Sequence, residues 1–162
     1  MVLNPVGDVL DPATGRILAG VHKNPGSSEL ANAAEVIRAG APCEPLKLAN
    51  TAEGIRAGAP CEPLKQHNTT LCVVGTNAGL SRVEAEWIAE QALVSLARLI
   101  DPPFTRHDGD VVFCVSTGNQ PWELHRVALL ARDATAMAIE DACRSAEPAG
   151  GLPTCHGIRA PF

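Results

Sequence analysis

Tyrosine is absent from the 162 residues, and Phe and Trp bring the aromatic share to only 3%. Platforms that stack the bases of single-stranded nucleic acid are therefore not expected. Positive charge is also in short supply: 13 Lys and Arg face 18 Asp and Glu, a net charge of −5. No Lys/Arg cluster forms a phosphate-binding stripe, so the composition argues against a nucleic-acid partner. No apolar run approaches the length of a membrane span. Met1 to Leu10 has neither the basic start nor the long apolar segment of a signal peptide. A membrane partner is not expected, and the chain reads as cytoplasmic.

No two of the six Cys stand at C-x-x-C spacing. Cys43 and Cys61 are copies within a repeat, and Cys72 and Cys114 lie in apolar strand-like runs where a free Cys acts as a small hydrophobe. Cys155-His156 alone is too little for zinc. Reduced thiols and no metal are the expectation.

What is present suits a globular domain. Hydrophobic residues make up 46% of the chain and the mean hydropathy is +0.06. The length allows one domain with a modest core. At the N-terminus, MVLNPVGDVLDPATGRILAG alternates short apolar runs with turn signals at Asn4-Pro5, Asp11-Pro12 and Thr14-Gly15. It reads as a strand end, a turn and a second short strand. A tandem repeat follows, residues 34–51 and 52–69, identical at 15 of 18 positions. Two Pro- and Gly-punctuated copies are too few for a solenoid. They read as a duplication in a surface connection, where extra length costs little closure entropy.

Past Thr69 the pattern tightens. TLCVVGTNA reads as a buried strand, and Ser81 with Glu84 forms a capping box. The helix it opens runs to about Leu99, with Val83, Trp87, Ile88, Leu93, Leu96 and Ile100 on its apolar side, and Asp101-Pro102-Pro103 stops it. VVFCVSTG, from Val111 to about Thr117, is a second strand. Asn119-Gln120-Pro121 starts a helix through Leu124, Val127, Leu130, Ala134, Met137 and Ile139 to about Ser145. Strand, helix, strand, helix implies a layered α/β arrangement.

Asn68 and Thr69 stand at the mouth of the first strand. They are either an ordinary loop-to-strand junction or a nucleophile in waiting. A Thr hydroxyl needs a base beside it, and a free α-amino group on the same residue, of pKa roughly 7.7–8.0, can serve. Cutting the chain before Thr69 would create that pair, with the Thr69 hydroxyl attacking the Asn68 carbonyl and the ester then hydrolysed. Thr51 repeats the Asn-Thr context at Asn50, but AEGIRAG follows it instead of a strand. Thr51 is expected to be inert. His67 and His107 read as solvated loop residues, and His125 lies on a helix with no evident partner.

NTTLCVVGTNAGLS resembles the start of the small subunit in the autocleaving L-aminopeptidase/D-esterase and β-aminopeptidase family, which includes the 6-aminohexanoate (nylon) oligomer endo-hydrolases. ARLIDPPFTRHDGDVVFCVSTG (Ala97 to Gly118) and LNPVGDVLDPATGRILAG (Leu3 to Gly20) match further blocks in the same order. The resemblance implies an αββα sandwich of the N-terminal-nucleophile-like type, incomplete here. It makes residues 1–22 the end of a large-subunit-like part, 23–68 a linker, 69–147 a small-subunit-like part and 148–162 a flexible tail. By the same resemblance the cleavage site is Asn68-Thr69, and Thr69 is the nucleophile and its freed amine the base. The Asn4 amide helps form the oxyanion hole, a contribution typically worth ~10²–10³ in rate. Asp108 and Asp110 orient the nucleophile. Without the family, Asn4 reads as a turn residue and the two Asp as a solvated loop or partial cation site.

The resemblance further implies a peptide or amino-acid-oligomer substrate, no cofactor, and an oligomer of cleaved heterodimers. Family members are about twice as long, and the part before Asn4 would supply further strands, much of the pocket and, in the nylon-oligomer hydrolases, a catalytic Lys. No residue of this chain takes that role. The alternative expectation is therefore an inactive family fragment, or a subunit that needs a partner chain. A plain α/β binding module explains the helices but not the co-occurring blocks.

Overall fold

The computed structural model describes residues 1–23, 29–40, 68–149 and 154–157. Strands β1 (Asp8–Leu10) and β2 (Ile17–Ala19) pair antiparallel around the turn at Asp11-Pro12. The Asp11 carboxylate accepts from the N–H groups of Ala13 and Thr14 (2.8 and 3.1 Å). Gly15, at φ 70°, takes the left-handed position a side chain resists. Helix α1 (Ala33–Arg38) is capped by Asn32, whose side chain accepts from Glu35 N. Most of the repeat, with Cys43, Asn50, Thr51, Cys61 and His67, lies outside the described residues.

The second half alternates strand and helix: β3 (Leu71–Ala78), α2 (Arg82–Leu99), β4 (Ile100–Asp101), β5 (Val111–Gln120) and α3 (Leu124–Arg144). A single 3₁₀ turn, Cys155–Gly157, follows. The Ser81–Glu84 capping box is formed in both directions. β3 and β5 pair parallel, Leu71 beside Val111, and the helix between them makes the crossover that parallel strands require. β4 adds to the other side of β1, giving a second sheet ordered β2-β1-β4. The chain is a mixed α/β protein. None of the described helices is long and apolar enough to cross a membrane.

Two expectations about α3 need correction. Asn119 and Gln120 belong to β5, which continues beside β3 to the Ala78–Gln120 pair. The helix instead starts after Glu123, whose carboxylate accepts from His125 N and Arg126 N and so satisfies two orphan N–H groups. The buried stripe runs through Val127, Ala131, Thr135, Ile139 and Cys143. Leu130, Ala134 and Met137 are exposed, as is Val83 on α2. The face turned to α2 is lined instead by small residues whose polar atoms are met within the helices. Thr135 Oγ1 donates to the Ala131 carbonyl, and Ser95 Oγ donates across to Arg132 O (2.8 Å).

The core gathers Cys72, Ala92, Leu96, Leu99, Val112 and Ile139 between the helices and one face of the β3–β5 pair. The opposite face is apolar and open: Leu71, Val73, Phe113 and Val115 are all exposed. The strand expected to be buried is therefore buried on one side only. His125 has partners after all, since it packs edgewise on Trp87 at 5.4 Å and its Nδ1 lies 3.1 Å from Glu123 Oε1.

Candidate active site

Residues 68–71 run as a middle strand between two segments distant in sequence. On one side Val2 and Leu71 exchange backbone hydrogen bonds, and Thr69 N donates to the Asn4 carbonyl (2.8 Å). On the other, Gly109 N donates to Asn68 O (3.0 Å) and Val111 N to Thr70 O (3.0 Å), extending the β3–β5 pairing backward. The Asn68 amide donates to Pro5 O at 2.8 Å. The Asn68-Thr69 peptide bond is thus gripped from both sides.

Thr69 Oγ1 lies 2.7 Å from Asn68 O, to which it donates. The carbonyl oxygen before Thr69 therefore receives two hydrogen bonds, from the Thr69 hydroxyl and the Gly109 backbone. A Cβ at position 109 would stand 2.8 Å from Thr69 Oγ1 and force that hydroxyl to move. The two aspartates of Asp-Gly-Asp stand out in the sequence, whereas the glycine between them does not. Its position beside two carboxylates in a short loop was the available signal.

The two aspartates differ in what they hold. Asp108 Oδ1 accepts from Val6 N (2.9 Å), while its Oδ2 accepts from Thr105 N and Thr105 Oγ1 (3.0 and 2.7 Å). That carboxylate ties the N-terminal segment to its own loop. Asp110 Oδ1 accepts from Thr70 N (2.6 Å), the residue after Thr69. Its Oδ2 and Thr70 Oγ1 are buried without a hydrogen-bond partner among the described residues. Burial pushes the Asp110 carboxyl above its ordinary range and the Asp108 charge adds to this, while the Thr70 N–H opposes it. Phe104, in the same loop, sits at φ 49°, a left-handed conformation that non-glycine residues adopt at a cost.

Asn4 meets the site through its backbone carbonyl, and it lines a cleft of about 610 Å³ together with Asn68. The same cleft is lined by Cys143, Ala146 and Cys155 from the end of α3 and the turn beyond it. Asp8, in the same Asn4–Asp8 segment, is fully buried and accepts from Val21 N and Ala33 N (3.2 and 2.6 Å). Burial raises its carboxyl, chiefly offset by these N–H donors. Asn4, Asn68, Thr69, Asp108 and Asp110 thus meet in one place. His107 donates its backbone N–H to Thr105 Oγ1 (3.3 Å) within the same loop. Among the described residues no three His, Cys, Asp or Glu side chains are grouped to hold a metal ion.

A sequence model of peptidase family S58 matches residues 10–154. A Mycobacterium leprae (strain TN) protein described as an uncharacterised aminopeptidase is 31% identical over 179 aligned residues. That alignment takes in 98% of this chain and 43% of the other protein, so this chain spans less than half the length of that relative.

Proposed function

The chain belongs to peptidase family S58, and from that premise we propose that it is an amide hydrolase activated by its own cleavage between Asn68 and Thr69. One observation carries this reading: the Asn68 carbonyl oxygen takes the Gly109 N–H at 3.0 Å with Thr69 Oγ1 only 2.7 Å away.

Thr69 Oγ attacks the Asn68 carbonyl carbon, and the new oxyanion keeps the Gly109 N–H as its donor. Such a donor is typically worth ~10²–10³ in rate. The C–N bond breaks, the Thr69 nitrogen takes a proton, and an ester joins Asn68 to Thr69 Oγ. Water hydrolyses that ester and leaves Thr69 with a free amine. In the second role that amine takes the Oγ proton as the hydroxyl attacks substrate. Asp110 is the better placed of the two carboxylates to exchange protons here, because both oxygens of Asp108 are committed to holding the loop. The Asn4 side-chain amide is the second oxyanion donor in this scheme. No metal or organic cofactor is invoked.

The two pieces stay together after the cut, because residues 2–5 remain paired with 69–71. The product is a heterodimer that assembles further with its copies. The substrate acyl group enters where Asn68 sits in the precursor, beside the 610 Å³ cleft, and belongs to a short peptide or ω-amino-acid oligomer of the nylon type. The open apolar face of β3 and β5 is the face on which a second sheet packs to complete an αββα sandwich. Its exposed Leu71, Val73, Phe113 and Val115 support that, since sheets bury apolar faces against one another.

Intact-mass analysis of the purified chain tests the reading. Fragments 1–68 and 69–162, absent in Thr69→Ala, are expected. A chain that stays whole on prolonged incubation, alone and when co-expressed with a full-length relative, overturns it. Cleavage after Asn50 instead would assign the chemistry to Thr51.

A further inference from the structure

The cleft beside Asn68 is also lined by two cysteines that the proposed hydrolysis does not use. Cys143 is buried in the last turn of α3, and Cys155 is half-exposed at the start of the 3₁₀ turn. The Cys155 thiol donates to the Cys143 carbonyl oxygen at 3.1 Å, and His156 Nε2 lies 3.1 Å from Arg144 O. These contacts fold residues 155–157 back onto the helix end, where carbonyls would otherwise lack partners. Both residues line the same cleft. Burial, with the neighbouring Cys155 charge adding to it, pushes the Cys143 thiol up to about 11.

We propose that Cys143 and Cys155 form a reversible oxidation site, closing into a disulfide that pins residues 155–157 to the end of α3. The Cys155 sulfur already touches the Cys143 backbone carbonyl, and closing the bond needs the two Cα atoms at about 4.4–6.8 Å. The co-reactant is a peroxide. Cys155 is the more accessible of the two, so its thiolate attacks one peroxide oxygen. The O–O bond breaks, Cys155 becomes a sulfenic acid, and the other oxygen leaves as water after taking a proton. Cys143 then attacks the sulfenic sulfur, the S–S bond forms, the S–O bond breaks, and the oxygen leaves as a second water with the Cys143 proton. Two thiols lose two electrons and one hydrogen peroxide becomes two waters. Thiol exchange reverses the change.

The bond acts on the cleft rather than on the scissile peptide. It makes the Cys143–Cys155 segment a covalent ring, so residues 155–157 cannot leave the end of α3.

The test uses the full chain, treated with hydrogen peroxide without reductant. The expected product has lost about 2 Da, regains it with dithiothreitol, and yields a trypsin-resistant link between peptides 133–144 and 145–159. Amides of the helix end and the 3₁₀ turn exchange more slowly in the oxidised form. Cys155→Ser gains no such link while Cys72 and Cys114 stay free. The same oxidation of guanidinium-unfolded chain scatters among the six cysteines. The proposal is overturned by a link that joins Cys155 to any other cysteine or by Cys155 oxidised to sulfinic acid with no link. It is equally overturned if the unfolded chain gives the same Cys143–Cys155 yield.

Discussion

Gly109 donates its backbone N–H to the carbonyl oxygen of Asn68 at 3.0 Å, although 41 positions separate the two residues (109 − 68). The same glycine leaves no room for a side chain against Thr69 Oγ1, where an added Cβ would stand at 2.8 Å. Gly109→Ala is therefore expected to displace the hydroxyl and to slow cleavage at Asn68-Thr69 by about 10²-fold or more. Far-UV circular dichroism should change little, because Gly109 is exposed and outside the helices. Wild-type cleavage kinetics in this variant would remove Gly109 from the mechanism.

Asp110→Asn should keep the acceptor for Thr70 N yet remove the buried charge. The folded carboxyl is raised, so it binds its proton more readily than in the unfolded chain. Its contribution to stability is present below the unfolded carboxylate pKa and lost as pH rises through the folded one. The variant should accordingly gain stability over wild type at neutral pH, and the gain should vanish near pH 3. Urea midpoints at several pH values measure this, while the cleavage rate of the variant should fall.

Asp108→Ala behaves differently. It strips acceptors from Val6 N, Thr105 N and Thr105 Oγ1, and donors left unmet in a part-buried site cost about 1–3 kcal/mol. Both the urea midpoint and the cleavage rate should drop together. A variant that loses cleavage with stability unchanged would give Asp108 a direct chemical part.

The face of α3 can be checked by a pair of truncations. Ile139 is fully buried and Met137, two residues away, is 69% exposed. Ile139→Ala should cost about 2–5 kcal/mol, against no more than about 0.5 kcal/mol for Met137→Ala. Equal effects in thermal melts would mean that the helix is turned the other way.

Val73 and Phe113 are register partners on the open face of the β3–β5 pair. The double change Val73→Thr, Phe113→Thr should lower binding of an environment-sensitive dye such as ANS while leaving the helical signal unchanged. Undiminished dye fluorescence would place the apolar patch elsewhere.

Local signals read truly wherever neighbours in sequence are neighbours in space. The Ser81–Glu84 box opened α2 where expected, because both partners lie within one helical turn. Asp11 and Gly15 closed the first hairpin for the same reason. The start of α3 was misplaced because a proline after Asn-Gln imitates a helix entry. Only the pairing of β5 with β3 reveals that those residues continue the strand. Its apolar side was misjudged because Leu130 and Met137 look like core while Ala131 and Thr135 do not. Close approach to α2 rewards small residues with internally satisfied polar atoms. In the candidate site, Asn68, Thr69 and the Asp-Gly-Asp loop were legible as short words. Their meeting was not, since it depends on residues 2–5 and 108–111 flanking one strand.

By itself the sequence determined the alternation of elements, their caps and turns, and the placing of an Asn-Thr pair just ahead of a strand. Those are properties of a few adjacent residues, set by backbone hydrogen bonding and apolar period. The tertiary structure alone decided that Gly109 meets the Asn68 carbonyl, that Asp108 binds loops while Asp110 keeps a buried oxygen unpaired, and that Cys155 folds back on Cys143. The Gly109–Asn68, Asp108–Val6 and Cys155–Cys143 contacts join groups 12 or more residues apart, and only the packing of helices and strands around a shared core brings such groups within hydrogen-bond distance.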